Sequence, residues 1–140
     1  MLKRLRNQRG AALLETAVTL PLVLLVSVSI FEFGRAYQTW QVLTNAAREG
    51  ARVAVLEAYT DAQVTTIVRN YMSGGRLPNA ASASVTVVRN VPFGISTASR
   101  ITVSYPFTFM VLSPVAKLVR SSSTVGAPLT MQSSALMRNE

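Results

Sequence analysis

The longest apolar run of the chain lies near its N-terminus, from Ala11 to Phe31, and Glu15 is the one charged residue in it. As an α-helix rising about 1.5 Å per residue, the run would be about 31 Å long, which matches the roughly 30 Å hydrocarbon core of a bilayer. Pro21 removes one helical hydrogen bond, so we expect a kink or a local loosening there. The pattern predicts a transmembrane helix over residues 11–31.

A second pattern follows the apolar run, because residues 32–57 contain no proline and alternate with helical periodicity. Small and apolar residues recur there at steps of three and four, which places them on one face of a helix: Leu43, Ala46, Ala47, Gly50, Val53 and Ala54. Phe33, Tyr37 and Trp40 stand just beyond the span, where amphipathic aromatic side chains favour the membrane interface. We therefore predict that the helix continues outward as an amphipathic stem over residues 32–57.

The remaining residues, 58–140, predict a small domain that begins with a helix. Thr60 and Gln63 have the spacing of a capping box, and Gly74-Gly75 gives a stop signal. Between them one face carries four larger side chains, Val64, Ile67, Val68 and Tyr71. A further short helix over Val115–Arg120 is predicted by Ser113 followed by Pro114, since proline suits the first helical position.

Strand patterns occupy the rest of this domain. Residues Ser84–Val88 begin a strand, and Arg100–Phe109 alternates apolar and polar residues as a half-buried strand does. We interpret Asn90–Ser99 as a hairpin loop, and Pro106 as the mark of an edge strand or a bulge. Residues 121–123 form a link, and Pro128–Met137 a weaker last strand. The predicted fold class is α+β: a long N-terminal transmembrane and stem helix, followed by a small antiparallel sheet domain.

Charge sets the orientation of this arrangement. The formal net charge is +8, and a cluster without any acid precedes the span: Lys3, Arg4, Arg6 and Arg9. By the positive-inside rule this end stays in the cytoplasm, and the chain after Phe31 is translocated. The other basic residues are spread without a run, so no specific nucleic acid is expected as a partner.

Composition also restricts the chemistry. The chain has no cysteine and no histidine, which excludes disulfides, thiolate nucleophiles and zinc-sulfur sites and removes the commonest general base. The acids beyond the span show no spacing of a metal site: Glu32, Glu49, Glu57, Asp61 and Glu140. We expect no enzymatic activity, no metal and no cofactor.

The segment from Gly10 to Glu15 resembles the processing site of type IV prepilins, in which a short basic leader and a glycine precede an apolar stretch whose fifth residue is glutamate. The resemblance implies a leader over residues 1–10 and cleavage between Gly10 and Ala11 by a membrane-embedded prepilin peptidase. Glu15 would then lie one helical turn from the new amino group of Ala11, and a carboxylate in lipid costs less opposite an ammonium. The assembly role of Glu15 follows from this pairing.

Two other interpretations of the N-terminal segment compete with that one. Glu15 lies about one turn into the span, so its side chain could instead reach back to the lipid headgroups. The run could also be a secretory signal peptide, which has a shorter apolar region and a small-x-small cleavage site. Its candidate site, Ser27-Val28-Ser29, is followed by further apolar residues.

Two motifs in the stem closely resemble the signature of the TadE-like family, the minor pilin-like proteins of tight-adherence (Flp-type) pilus systems. They are Glu32-Phe33-Gly34-Arg35-Ala36 and Asn45-Ala46-Ala47-Arg48-Glu49-Gly50-Ala51-Arg52. The Leu20-Pro21-Leu22 step is similar to the family as well, and the resemblance extends from about Arg9 to Leu56. It implies a pilin-like subunit of the bacterial inner membrane, with a single pass and its C-terminal domain in the periplasm or outside the cell.

The same resemblance implies the partners and the function. The partners are a prepilin peptidase, the major Flp-type pilin, other minor pilin-like subunits, the inner-membrane assembly platform and membrane lipid. The function is pilus assembly and surface adhesion. A structural interpretation of the second motif is compatible with this: Gly50 and the alanines permit close helix approach, while Arg48 and Arg52 face water. Glu32 and Arg35 are expected to pair on the helix surface for a few tenths of a kcal/mol.

Two alternative functions remain open at the level of sequence. The first is a membrane-tethered binding module whose basic outer domain captures DNA or an anionic surface, with charge from Arg69, Arg76, Arg89, Arg100, Lys117, Arg120 and Arg138. The second is an unprocessed anchor for another envelope complex.

Overall fold

The protein consists of one long N-terminal helix whose outer half packs against a three-stranded antiparallel sheet and a second helix. In this computed structural model the described residues are 2–119, 121–122 and 124–139, and the description of residues 2–9 and 119 is limited to their backbone. The architecture confirms the predicted α+β class.

Helix α1 extends from Leu2 to Ala54, which is 53 residues and about 80 Å at 1.5 Å per residue. It passes through Pro21 without interruption, because a proline removes only one hydrogen bond of the helical ladder. The predicted span and the predicted stem are therefore parts of one continuous helix, with no backbone break between them.

Helix α2 (Asp61–Gly74) begins with the predicted capping box. The Thr60 hydroxyl accepts a hydrogen bond from the Gln63 N–H, and the Gln63 amide oxygen accepts one from the Thr60 N–H at 2.9 Å. Val64 and Val68 are buried, as the pattern predicts. Tyr71 is exposed, because the centre of the buried face is shifted toward Met72.

The sheet has the order β1 (Ser84–Phe93), β2 (Ser96–Phe107) and β3 (Leu129–Arg138), with both pairs antiparallel. The predicted loop over Asn90–Ser99 is wrong, since the two strands continue to a tight turn at Gly94, whose φ is +61°. A register shift between Val88 and Val91 absorbs the irregular residues. Pro92 is tolerated because β1 is an edge strand.

Pro106 lies in the central strand β2 and not in an edge strand, so that prediction is wrong. The pairing with β1 ends at Ser104, however, so at Pro106 only β3 is a neighbour. Helix α3 (Leu112–Val119) begins earlier than the predicted Val115, and the predicted end at Arg120 lies outside the described residues.

The core lies between the outer half of α1, helix α2 and one face of the sheet. The stripe predicted from the stem is buried throughout, including Leu43 and Ala47 at 0% exposure. It packs in one apolar cluster with Val64, Val68 and Met72 of α2 and with Ile101 and Val103 of β2. A fully buried side chain of this size contributes about 1.5–3 kcal/mol, so the cluster holds the small domain on α1.

Arg89 joins the far end of α1 to the sheet. Its guanidinium donates to the carbonyl oxygens of Ala54 and Tyr59, each at 2.7 Å, and to the Asp61 carboxylate at 2.7 Å. Because Ala54 ends α1, its carbonyl has no partner inside the helix, and Arg89 supplies one.

Candidate functional site

Almost all residues of the apolar stretch of α1 are exposed. From Gly10 to Phe31 every residue is exposed except Ser27, Val28 and Ser29, which are half-buried. This part of the helix is long and apolar enough to cross a membrane by length and composition. The folded domain therefore leaves the predicted span uncovered until about one turn before Glu32.

Hydroxyl groups in this stretch are satisfied by the helix itself. Thr16, Thr19, Ser27 and Ser29 each donate to the carbonyl oxygen four residues earlier, at 2.7–2.9 Å. The Glu15 carboxylate differs, because among the described residues nothing is bonded to it. It is an exposed acid in an apolar surface, and its backbone lies one turn from Ala11.

Glu32 and Arg35 occupy a very different environment from the one predicted. Glu32 is only 5% exposed, and its Oε2 accepts hydrogen bonds from Arg35 Nη2 at 3.2 Å and from the Met110 N–H at 3.0 Å. Arg35 Nη2 also donates to the carbonyl oxygen of Thr108 at 2.7 Å. The predicted pairing of Glu32 with Arg35 is confirmed. The predicted position on the exposed helix surface is wrong for Glu32, because the segment after β2 folds over the two side chains.

Aromatic rings complete this contact. The Arg35 guanidinium lies 4.7 Å from the centroid of the Phe107 ring, within cation–π range. Phe33 meets Phe109 edge-on at 6.4 Å, and Phe107 meets Phe109 edge-on at 5.1 Å. We call the set of Glu32, Phe33, Arg35 and residues 107–110 the clasp, since it fastens the sheet to α1 next to the end of the apolar stretch.

The second motif of the stem acts mainly through small buried residues: Ala46, Ala47, Gly50 and Ala51. A Cβ atom at Gly50 would lie 2.5 Å from Val68 Cγ2 and 3.2 Å from Ile101 Cγ2, so only glycine lets α2 and β2 approach α1 this closely. The other residues of the motif lie outward.

Asn45, Arg48 and Arg52 are exposed, as the structural interpretation expected of the two arginines. Arg52 pairs with Glu49 at 2.6 Å, and this guanidinium lowers the pKa of the Glu49 carboxyl by donating a hydrogen bond to it. Gly34 is also exposed, and a Cβ atom there would meet nothing within 4 Å.

An open cleft of about 440 Å³ lies beside the clasp, lined by Arg35, Gln38, Thr39, Arg76, Tyr105 and other residues. The Tyr105 hydroxyl donates to the carbonyl oxygen of Pro78, and burial raises the pKa of this tyrosine. Within the described part of the chain, no cluster of His, Cys, Asp or Glu could hold a metal ion.

The N-terminal part of the chain is similar to a known protein family. Residues 10–52 match the TadE-like protein family. The match confirms the resemblance found in the two stem motifs. It covers less than a third of the chain. No curated protein and no solved structure matched the chain.

We call residues 10–52 the TadE-like segment. It contains the apolar stretch, the clasp residues of α1 and the buried small residues. Its boundaries begin at Gly10 and therefore exclude the basic cluster. The side chains of Lys3, Arg4, Arg6 and Arg9 lie outside the described part of the chain, and their role in membrane orientation stays a prediction. The roles of Gly10, Ala11 and Glu15 also stay predictions.

The part of the clasp at residues 107–110 was not predicted from the sequence. It named Glu32, Phe33 and Arg35 of the TadE-like segment, but not Thr108 and Met110, which contribute backbone groups. A backbone N–H or C=O carries no side-chain signal, so the pattern offered no way to find them. The aromatic pair Phe107 and Phe109 was visible as part of an alternating strand, and could have indicated a contact with Phe33.

The alternative of a basic binding module receives no support from this geometry. Arg69 donates to the carbonyl oxygen of Ala83 at 3.2 Å, and Arg89 is bonded to three groups at the end of α1. These two arginines therefore hold the fold together and do not form part of a free basic surface.

Proposed function

We propose that the chain is a minor pilin-like subunit of a bacterial tight-adherence pilus, cut between Gly10 and Ala11 by a prepilin peptidase and acting in pilus assembly and surface adhesion. The observation that carries the proposal is the Glu15 carboxylate on the exposed apolar part of the TadE-like segment, one turn from Ala11, where no described side chain is bonded to it. The role is structural and not enzymatic.

Cleavage supplies a partner for Glu15. Removal of residues 1–10 leaves an ammonium group on Ala11, either of the same chain or of a neighbouring subunit. A lone carboxylate at the centre of a membrane helix costs about 2.5–3.5 kcal/mol, and less near an end, so pairing with an ammonium offsets a real penalty. The bare helix then exchanges lipid for the helices of other pilin subunits.

The proposed topology places the N-terminus in the cytoplasm and the sheet domain on the outer side of the inner membrane. Its partners are the major Flp-type pilin, other minor pilin-like subunits and the assembly platform. The bare span supports this, since an apolar helix that its own domain leaves exposed needs lipid or other helices around it.

Replacement of Glu15 by glutamine tests the pairing. The carboxylate–ammonium contact disappears while the helix stays apolar, so membrane insertion should be normal and pilus formation should fall about tenfold or more, as expected for the loss of about 1.5–3 kcal/mol. Pili are counted by electron microscopy, and the subunit in the membrane fraction is measured by immunoblot.

The matched control is Glu57→Gln, which removes an exposed acid outside the TadE-like segment and should leave pilus numbers unchanged. If the Glu15→Gln strain makes as many pili as the parent strain, Glu15 has no role in assembly.

A further inference from the structure

The connection between β2 and β3 exposes large apolar side chains. Leu118 on α3 is 87% exposed, Met110 is 68% exposed, and Val111 is exposed as well. The inner face of α3 is formed by the half-buried Leu112 and Val115. We call Met110, Val111 and Leu118 the apolar rim.

The clasp fixes the position of Met110 along the axis of α1. The Met110 N–H is bonded to Glu32, and the carbonyl oxygen of Thr108 to Arg35. Glu32 follows Phe31, the last residue of the predicted span, by one step of about 1.5 Å along the helix axis. Helix α3 also contacts α1. Met110 therefore lies at the level where α1 would leave the hydrocarbon, and Phe31 and Phe33 are exposed at the same level of α1.

The charge around the rim favours a bilayer surface. Residues 62–139 contain no aspartate or glutamate, and Lys117 is exposed next to Leu118 on α3. A lysine beside apolar side chains that insert into lipid can extend its ammonium to the headgroups, and anionic lipids attract it. The acid beside Met110, Glu32, is paired with Arg35, and Lys117 is exposed, so this apolar face suits the interface of a membrane that contains anionic phospholipid.

We infer that the apolar rim lies in the outer interface of the bilayer, where Met110 and Leu118 contact lipid and give the sheet domain a second attachment beside the transmembrane helix. The inference rests on the proposed membrane crossing of α1. Because the clasp connects this attachment to the helix, the domain keeps one orientation on the membrane until the subunit leaves it.

Because the chain has no cysteine, single cysteines report on the rim without background. Leu118→Cys and Ile95→Cys are labelled in the full chain with an environment-sensitive fluorophore and reconstituted at high lipid excess in phosphatidylethanolamine–phosphatidylglycerol vesicles. Ile95 is the matched control, since it is a fully exposed apolar residue at the β1–β2 turn. Val23→Cys reports on the span.

The expected result is a blue-shifted emission at position 118, quenching by spin-labelled lipid and protection from iodide, with the opposite behaviour at position 95. The inference is overturned if position 118 behaves like position 95, or if its shift appears only at high protein density, which would show that a second copy covers the rim. Position 23 separates the two proposals. If its label is also accessible to iodide, the membrane crossing itself is wrong.

Discussion

Gly50→Ala is expected to destabilise the sheet domain by about 1–3 kcal/mol, even though alanine is the better helix former. The added Cβ would lie 2.5 Å from Val68 Cγ2 and 3.2 Å from Ile101 Cγ2, so α2 and the sheet must move away from α1. Both contact atoms are methyl groups of stiff β-branched side chains, which cannot rotate away cheaply. Denaturant unfolding of the full chain in detergent, followed by near-ultraviolet circular dichroism, measures the change.

Gly34→Ala is the matched control on the same helix. A Cβ at Gly34 meets nothing within 4 Å, so the isolated subunit should gain up to about 1 kcal/mol from the higher helix propensity of alanine. The two glycines should therefore shift stability in opposite directions. A shift of the same sign and size at both positions would mean that helix propensity, and not the packing of α2 and β2 on α1, decides the effect at Gly50.

Glu32→Ala is expected to cost about 2 kcal/mol, because it removes a buried carboxylate that accepts from both Arg35 and the Met110 N–H. We take a value below that of a fully buried ion pair, since about a third of the Arg35 side chain is exposed and screened by water. The loss should also loosen the segment after β2, so proteolysis near residues 108–119 should accelerate.

The comparison for Glu32 is Glu49→Ala. Glu49 and Arg52 form the same kind of ion pair, three residues apart on the same helix, but Arg52 is exposed. Exposed pairs contribute little, so this variant should unfold close to the parent chain. Equal losses of stability at Glu32 and Glu49 would show that the clasp adds nothing beyond an ordinary surface ion pair.

Patterns with a fixed period were the most informative part of the sequence. Hydropathy located the bare stretch of α1, and steps of three and four located the stripe that includes Leu43, Ala47 and Gly50. The capping box at Thr60 and Gln63 was also visible, because it depends on residues only three apart. Residues that are close in sequence determine these features, so the sequence pattern shows them.

Features that depend on distant parts of the chain were not predictable in the same way. The burial of Glu32 comes from the backbone of Met110, 78 residues later, and no spacing announces that contact. The β1–β2 hairpin was predicted, but the extent of its strands was obscured by Asn90, Pro92 and Gly94, which favour turns when taken singly. A register shift and an edge position accommodate Asn90 and Pro92 within β1, and Gly94 lies in the tight turn that follows.

The clasp shows that the TadE-like segment also holds the sheet domain on α1. Its first motif fastens the sheet domain next to the apolar stretch, and its second motif provides the close-packed surface for α2 and β2. The two motifs thus hold one small domain on a continuous helix at two heights.

The mass of the mature protein shows whether the chain is cut between Gly10 and Ala11. We expect the subunit purified from a strain with an active prepilin peptidase to begin at Ala11, and Gly10→Val to retain residues 1–10. A Cβ at Gly10 meets nothing within 4 Å, so that variant isolates recognition by the peptidase from folding. A parent protein that keeps residues 1–10, in cells that process their major pilin, would rule out the proposed cleavage between Gly10 and Ala11.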